Sequence, residues 1–123
     1  MNGNRIFLDT NIVLYLLNGD ITLAHFLNGK NLCVSIITEI ELLSYKGLKI
    51  EEEKVIKEFL SECHIYGISN EIKEITIEIR KTNSLKLPDC LIVSTSLYLG
   101  IPFISADTDF KKISEINFIH FEK

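Results

Sequence analysis

Two spacings of apolar residues alternate along this chain. Short runs rich in β-branched and aromatic residues occur at Arg5–Leu8, Asn31–Ile36, His64–Ile68, Pro102–Ser105 and Asn117–Phe121, and read as strands. Helical spacing fills the intervals. It predicts a helix from Ile12 to Leu17, broken by Asn18-Gly19-Asp20, and a short one with Leu23, Phe26 and Leu27 on one side, ending at Asn28-Gly29. A helix from Thr38 to Tyr45 is stopped by Gly47. Glu51 to about Glu62 carries Val55, Ile56, Phe59 and Leu60 on one stripe, and Asn70 to about Lys81 turns Ile72, Ile75, Ile79 and, less regularly, Ile77 inward. Asp89 to Leu99 is apolar nearly all round, which predicts burial, and Gly100 closes it. Strands alternating with helices imply an α/β fold: a mostly parallel sheet of about five strands, covered on both faces, with right-handed crossovers. There is no repeat, low-complexity stretch or linker, so residues 1–123 are expected to form a single domain.

Composition narrows the class. An apolar content of 46% in 123 residues suffices for one core. The apolar stretches fall far short of the roughly 20 residues of a membrane span. The segment Met1–Arg5 has neither an apolar core nor a cleavage site of the secretory type. Cys33, Cys63 and Cys90 are odd in number and widely spaced, which argues against a disulfide framework or a zinc site. A cytoplasmic location and buried, free thiols are the simplest expectation.

The formal net charge of −4 speaks against a nucleic-acid partner at first sight. Its distribution softens the objection. Glu51, Glu52, Glu53 and Glu58 share one helical stretch, whereas Arg80, Lys81 and Lys86 precede Asp89, and Lys111 and Lys112 follow Asp109. These five cations are candidate RNA contacts, or ordinary solvated surface.

The carboxylates carry the candidate chemistry. Asp9 lies between the first strand and a helix, where it could be an N-cap or could face the crevice at the carboxyl ends of the strands. Glu39 falls in the first turn of its helix, at the edge of the buried stripe of Ile36, Ile40 and Leu43, and Glu41 points elsewhere. Asp89 follows Pro88 at the head of the most apolar helix, where an unpaired charge is costly. Asp107 and Asp109 follow the fourth strand in a turn-and-cap string, with Phe110 placed to dock on the core. Each acid alone has a capping explanation. Together they form a set of hard oxygen donors whose mutual repulsion a divalent cation would relieve.

Four strings in order resemble the PIN domain family: Leu8-Asp9-Thr10-Asn11-Ile12, Thr38-Glu39-Ile40-Glu41-Leu42, Pro88-Asp89-Cys90-Leu91-Ile92-Val93-Ser94 and Ser105-Ala106-Asp107-Thr108-Asp109-Phe110. The resemblance spans essentially the whole chain, and at this length it is to the VapC-type toxins of prokaryotic toxin–antitoxin pairs. It implies a three-layer α/β/α fold and a Mg²⁺- or Mn²⁺-dependent ribonuclease. Asp9, Glu39, Asp89 and Asp107 would be the catalytic acids, with Asp9, Asp89, Asp107 and Asp109 as metal ligands and either of the last two as the fourth. Thr10, Asn11 and Ser105 would order the cluster. It also implies RNA as substrate, a homodimer and a cognate antitoxin, for which Tyr15, Leu16, Phe26 and Leu27 offer a candidate surface, the alternative being ordinary core.

Two other readings compete. One is a non-catalytic PIN module that binds RNA or a protein. The other is a receiver-type signalling domain, which would need an aspartate at the end of the middle strand, where this chain has Ser69 and Asn70. His25, His64 and His120 have no spacing that joins them into a metal set and read as structural. There is no GxxxxGK[ST] string for a nucleoside triphosphate.

Overall fold

The computed structural model describes residues 4–123; Met1–Gly3, part of the segment read above for a secretory signal, lie outside them. The chain runs β1 (Arg5–Leu8), α1 (Thr10–Leu17), α2 (Ile21–Leu27), β2 (Asn31–Ser35), α3 (Ile36–Leu43), α4 (Ile50–Ser61), β3 (His64–Tyr66), α5 (Asn70–Thr82), α6 (Leu87–Leu99), β4 (Phe103–Ser105) and β5 (Phe118–His120). A 3-10 turn at Thr108–Lys112 precedes the last strand. The five strands form one sheet in the order β3-β2-β1-β4-β5, and every pairing is parallel.

The sheet divides two cores. On one face Ile6, Leu8 and Val34 pack with Ile12 and Val13 of α1, Leu23 and Leu27 of α2, Leu42 of α3, and Ile56 and Leu60 of α4. On the other, Phe7, Cys33 and Phe103 meet Ile79 of α5, Cys90, Ile92 and Val93 of α6, and Phe110 of the 3-10 turn. The alternation along β1 produces this division, since successive side chains of a strand leave opposite faces. Phe110 docks as the sequence predicts: it is fully buried, edge-on to Phe103 with ring centroids 4.9 Å apart.

The chain leaves β1 outward through β2 to β3, then returns to lay β4 on the other side of β1. Two strand ends that diverge from a central pair open a crevice at their carboxyl ends, the usual ligand position in such sheets. Asp9 directly follows β1, and Ala106 and Asp107 directly follow β4.

Several boundaries differ from the sequence expectation. Helix α3 begins two residues earlier, because the Ser35 hydroxyl caps it by accepting from the Ile37 N–H at 3.0 Å. Helix α6 begins at Leu87, because its first turn tolerates Pro88. Gly100 closes α6 with φ +67, a conformation that glycine adopts without steric cost. The turn-and-cap string after β4 takes the form of a 3-10 turn; the Asp107 carboxylate caps it by accepting from the Asp109 N–H. Ile77 and Val55 face solvent. Thr76 fills the interior of α5 in place of Ile77, its hydroxyl satisfied by the Ile72 carbonyl at 2.8 Å.

Candidate active site

Asp9 is the fixed point of the site. It caps α1 through Oδ1, which accepts from the Thr10 N–H at 2.9 Å, while Oδ2 accepts from the Ser105 hydroxyl at 2.6 Å. Only 5% of the residue is exposed. Burial pushes its pKa up to about 6; the Ser105 and Thr10 hydrogen bonds oppose this, and the charges of Asp89 and Asp107 add to it.

Ser105 ties β4 to this carboxylate. Its hydroxyl donates to Asp9 and accepts from the Asp107 N–H at 3.0 Å and, more loosely, from Asn11 Nδ2 at 3.4 Å. Asn11 Oδ1 accepts from the Ala106 N–H at 3.3 Å. Thr10 reaches the other way. Its hydroxyl donates to Glu41 Oε1 at 2.7 Å, which leaves it to accept from the Thr38 hydroxyl at 2.9 Å. Thr10 and Asn11 of α1 and Ser105 of β4 thus order the surroundings of the acids from two elements.

The acids border one cleft of about 940 Å³, lined at one end by Asp9, Thr10, Asn11, Glu41, Asp89 and Asp107. The pKa of Asp89 is raised by burial first, then by the charges of Asp107, Glu41 and Asp109, with Lys86 opposing. Asp9, Asp89, Asp107 and Glu41 therefore share one field. Asp109 is felt at Asp89 but does not line the cleft: its side chain is exposed and lies 4.0 Å from Lys112 Nζ.

Glu39 is not brought into this group; the glutamate that lines the cleft and bonds Thr10 is Glu41. Residues two apart on a helix project about 200° from one another. Thr38 and Glu41, three apart, share the face that meets Thr10, and this puts Glu39 on a different side of α3. A sequence signal for it existed, since the Thr38 to Glu41 interval is a one-face spacing.

The predicted cations scatter. Lys86 is close enough to Asp89 to oppose its shift. Lys81 pairs with Glu78, Lys112 with Asp109, and the charge of Arg80 is felt at Cys90. Lys111 is exposed, and no ion pair among the described residues engages it. The surface suggested for an antitoxin is also largely spent. Leu27 is core, Leu16 packs on that core, and Tyr15 stacks on Phe121 with centroids 6.1 Å apart; Phe26 stays exposed under Lys30. The apolar surface beside the acids is the far end of the cleft, with Leu14, Tyr45, Leu48 and Val55, bordered by Glu51 and Glu52.

Among the described residues no three His, Cys, Asp or Glu side chains are grouped tightly enough to hold a metal ion between them. The donor chemistry nonetheless fits a hard cation. The charged groups at this end of the cleft are all carboxylates, that of Asp9 buried and repelled by Asp89 and Asp107, and Mg²⁺ ordinarily takes one or two carboxylates with waters and phosphate oxygens completing its shell. Among the described residues no helix is long and apolar enough to cross a membrane. Cys33, Cys63 and Cys90 are free; Cys63 is only half-buried, yet burial, with Cys33 and Glu62 nearby, pushes its thiol up to about 12.

Residues 6–116 match the family model of the PIN domain. The chain belongs to the PIN domain family. This sets aside the receiver reading, as does the strand order, which is not the 2-1-3-4-5 of that fold. Solved structures with the same PIN fold include a chain of a toxin–antitoxin complex from Klebsiella pneumoniae, 29% identical over 90% of this chain and 94% of that one, with a TM-score of 0.79. VapBC2 from Rickettsia felis, bound to a DNA fragment from its promoter, contains a chain 21% identical over 96% of this chain and 99% of that one, TM-score 0.85. VapBC-1 from nontypeable Haemophilus influenzae contains one 20% identical over 97% and 99%, TM-score 0.79. No curated protein sequence matches the chain significantly.

Proposed function

We propose that this PIN domain is a Mg²⁺- or Mn²⁺-dependent endoribonuclease and the toxin of a type II toxin–antitoxin pair. The observation that carries the reading is the convergence of Asp9, Glu41, Asp89 and Asp107 on one cleft at the switch point of the sheet. A buried carboxylate repelled by two others is costly, and a divalent cation with a substrate phosphate repays that cost. Asp9, Asp89 and Asp107 would hold the ion, and Glu41 takes the glutamate's role in place of Glu39. When bound, the ion supplies an activated water and stabilises charge on the phosphate oxygens. The protein's own groups hold the acids in place: Ser105 and Thr10 orient Asp9, Thr10 orients Glu41, and Ser105 fixes the Asp107 backbone. Lys86, beside Asp89, is the cation best placed to meet an RNA phosphate.

The solved complexes similar to this chain pair a toxin with an antitoxin. A cognate antitoxin here would block the cleft: its apolar wall at Leu14, Tyr45 and Val55, bordered by Glu41, Glu51 and Glu52, suits a segment with apolar and basic side chains. A homodimer is the expected assembly.

The test is incubation of the purified protein with single-stranded and structured RNAs in Mg²⁺, Mn²⁺ or EDTA. Cleavage that needs the ion is expected. Equal cleavage in EDTA would refute the metal, and no cleavage of any RNA would favour a non-catalytic module. Induced expression of wild type against Asp9→Asn, with growth arrest only for wild type, tests the toxin reading.

A further inference from the structure

One histidine, assigned no role by the sequence, reaches the carboxylate edge. Strand β5 pairs with β4 so that His120 lies opposite Ser105, the residue whose hydroxyl holds Asp9. The His120 side chain leaves on the same face as Phe118, with ring centroids 6.1 Å apart, and its Nε2 lies 3.1 Å from the Ala106 carbonyl oxygen. Because a carbonyl can only accept, Nε2 carries the proton.

The bonded carbonyl belongs to the peptide unit between Ala106 and Asp107. That unit is planar, so fixing its oxygen and its nitrogen fixes the plane and the axis from which the Asp107 side chain departs. The oxygen is held by His120 and the nitrogen by Ser105 Oγ at 3.0 Å. The preceding N–H, that of Ala106, is held by Asn11. Asp107 meanwhile lines the cleft beside Asp9 and Asp89, and like charges repel. A short turn after a three-residue strand resists that push poorly unless its peptide units are anchored.

We infer that His120 is a positioning residue for the proposed metal site: by holding the Ala106–Asp107 peptide it keeps Asp107 aimed at the ion. This rests on the metal-dependent reading of the same cleft. The clamp is independent of any contact between His120 and substrate, so it acts on ion affinity and turnover rather than on RNA affinity.

The experiment compares wild type with His120→Phe, which keeps the ring packing on Phe118 and loses the donor, and with His120→Gln, which keeps a side-chain donor. Each is titrated with Mn²⁺ alone, assayed for kcat and KM on RNA, and melted. Expected is a Phe variant that melts close to wild type, binds Mn²⁺ about 10-fold more weakly and loses kcat by a similar factor at unchanged KM, with recovery of both in the Gln variant. Mn²⁺ affinity in the Phe variant equal to wild type, or a Gln variant as impaired as the Phe variant, would overturn the clamp. So would a wild type that binds no Mn²⁺. If wild type binds Mn²⁺ but cuts no RNA, the ribonuclease reading fails while the three Mn²⁺ affinities still decide the clamp. Should the Phe variant fold poorly, His120→Leu takes its place in the same comparison.

Discussion

The two walls of the cleft are built on opposite terms. On the β4–β5 side, Asp9, Asn11, Ser105, Ala106, Asp107 and His120 are joined by an unbroken set of hydrogen bonds, and Ser105 is fully buried. On the α3–α4 side Glu41 is reached by the Thr10 hydroxyl, which Thr38 in turn bonds; beyond them the wall is Tyr45 and Val55, 69% and 50% exposed. The first wall holds charged groups where they repel one another. The second leaves apolar surface in water, which is favourable only when something covers it. Under the proposed function, chemistry belongs to the clamped wall and partner contact to the open one.

The largest expected break is in the clamped wall. Asp9→Asn or Asp89→Asn should lower metal-dependent RNA cleavage by on the order of 10³-fold, about 4 kcal/mol in the barrier. Circular dichroism should show the fold intact, because the asparagine Oδ1 also caps α1, while its Nδ2, in the place of Oδ2, donates to the Ser105 oxygen.

A pH effect of about 3 kcal/mol belongs to the same wall. The folded-state pKa of Asp9, about 6, lies above its unfolded value, so between roughly pH 4 and pH 6 the folded protein binds more protons than the unfolded chain. In EDTA, stability should therefore fall as the pH rises from 4 to 6 and then level off, as read by urea unfolding. Asp89 adds in the same direction. Asp9→Asn should flatten this slope and melt above wild type at pH 7 without metal. A flat wild-type profile would mean that Asp9 is not held as the geometry states.

Ser105→Ala removes the bridge and leaves Asp9 Oδ2 and the Asp107 N–H without their partner. The expected loss is about 2 kcal/mol of stability, within the usual cost of orphaned buried groups, measured by the shift in urea midpoint. The open wall should be gentler. Glu41→Gln should slow cleavage about 10-fold and Glu39→Gln not at all, which separates the two glutamates of α3 directly. Tyr45→Ser should change stability by less than about 0.5 kcal/mol while weakening capture of an antitoxin segment; an unchanged affinity would remove Tyr45 from the partner surface.

Periodicity made most of the fold legible. The apolar strings around β1, β4 and α6 announced the parallel sheet and put Asp9, Asp89 and Asp107 at element junctions. Capping chemistry was harder to place, because Ser35 and Thr38 are both plausible helix starts. Glu39, named by the resemblance, falls in the first turn from either start, so the start does not pick the glutamate; the one-face interval between Thr38 and Glu41 does. Asp107 and Asp109 could not be separated along the sequence, since only the 3-10 turn decides that one caps and lines the cleft while the other meets Lys112. His120 was invisible for another reason. Its partner is a backbone carbonyl fourteen residues away, brought near by the register of β5 on β4, which no local pattern encodes.

One measurement bears most directly on the carboxylates acting as one metal-dependent site: Mn²⁺ titrated into the protein, with binding and RNA cleavage followed on the same samples. Expected is cleavage that rises with ion occupancy, shares its midpoint, and disappears with both EDTA and Asp9→Asn. Cleavage indifferent to the ion, or undiminished in Asp9→Asn, would contradict it.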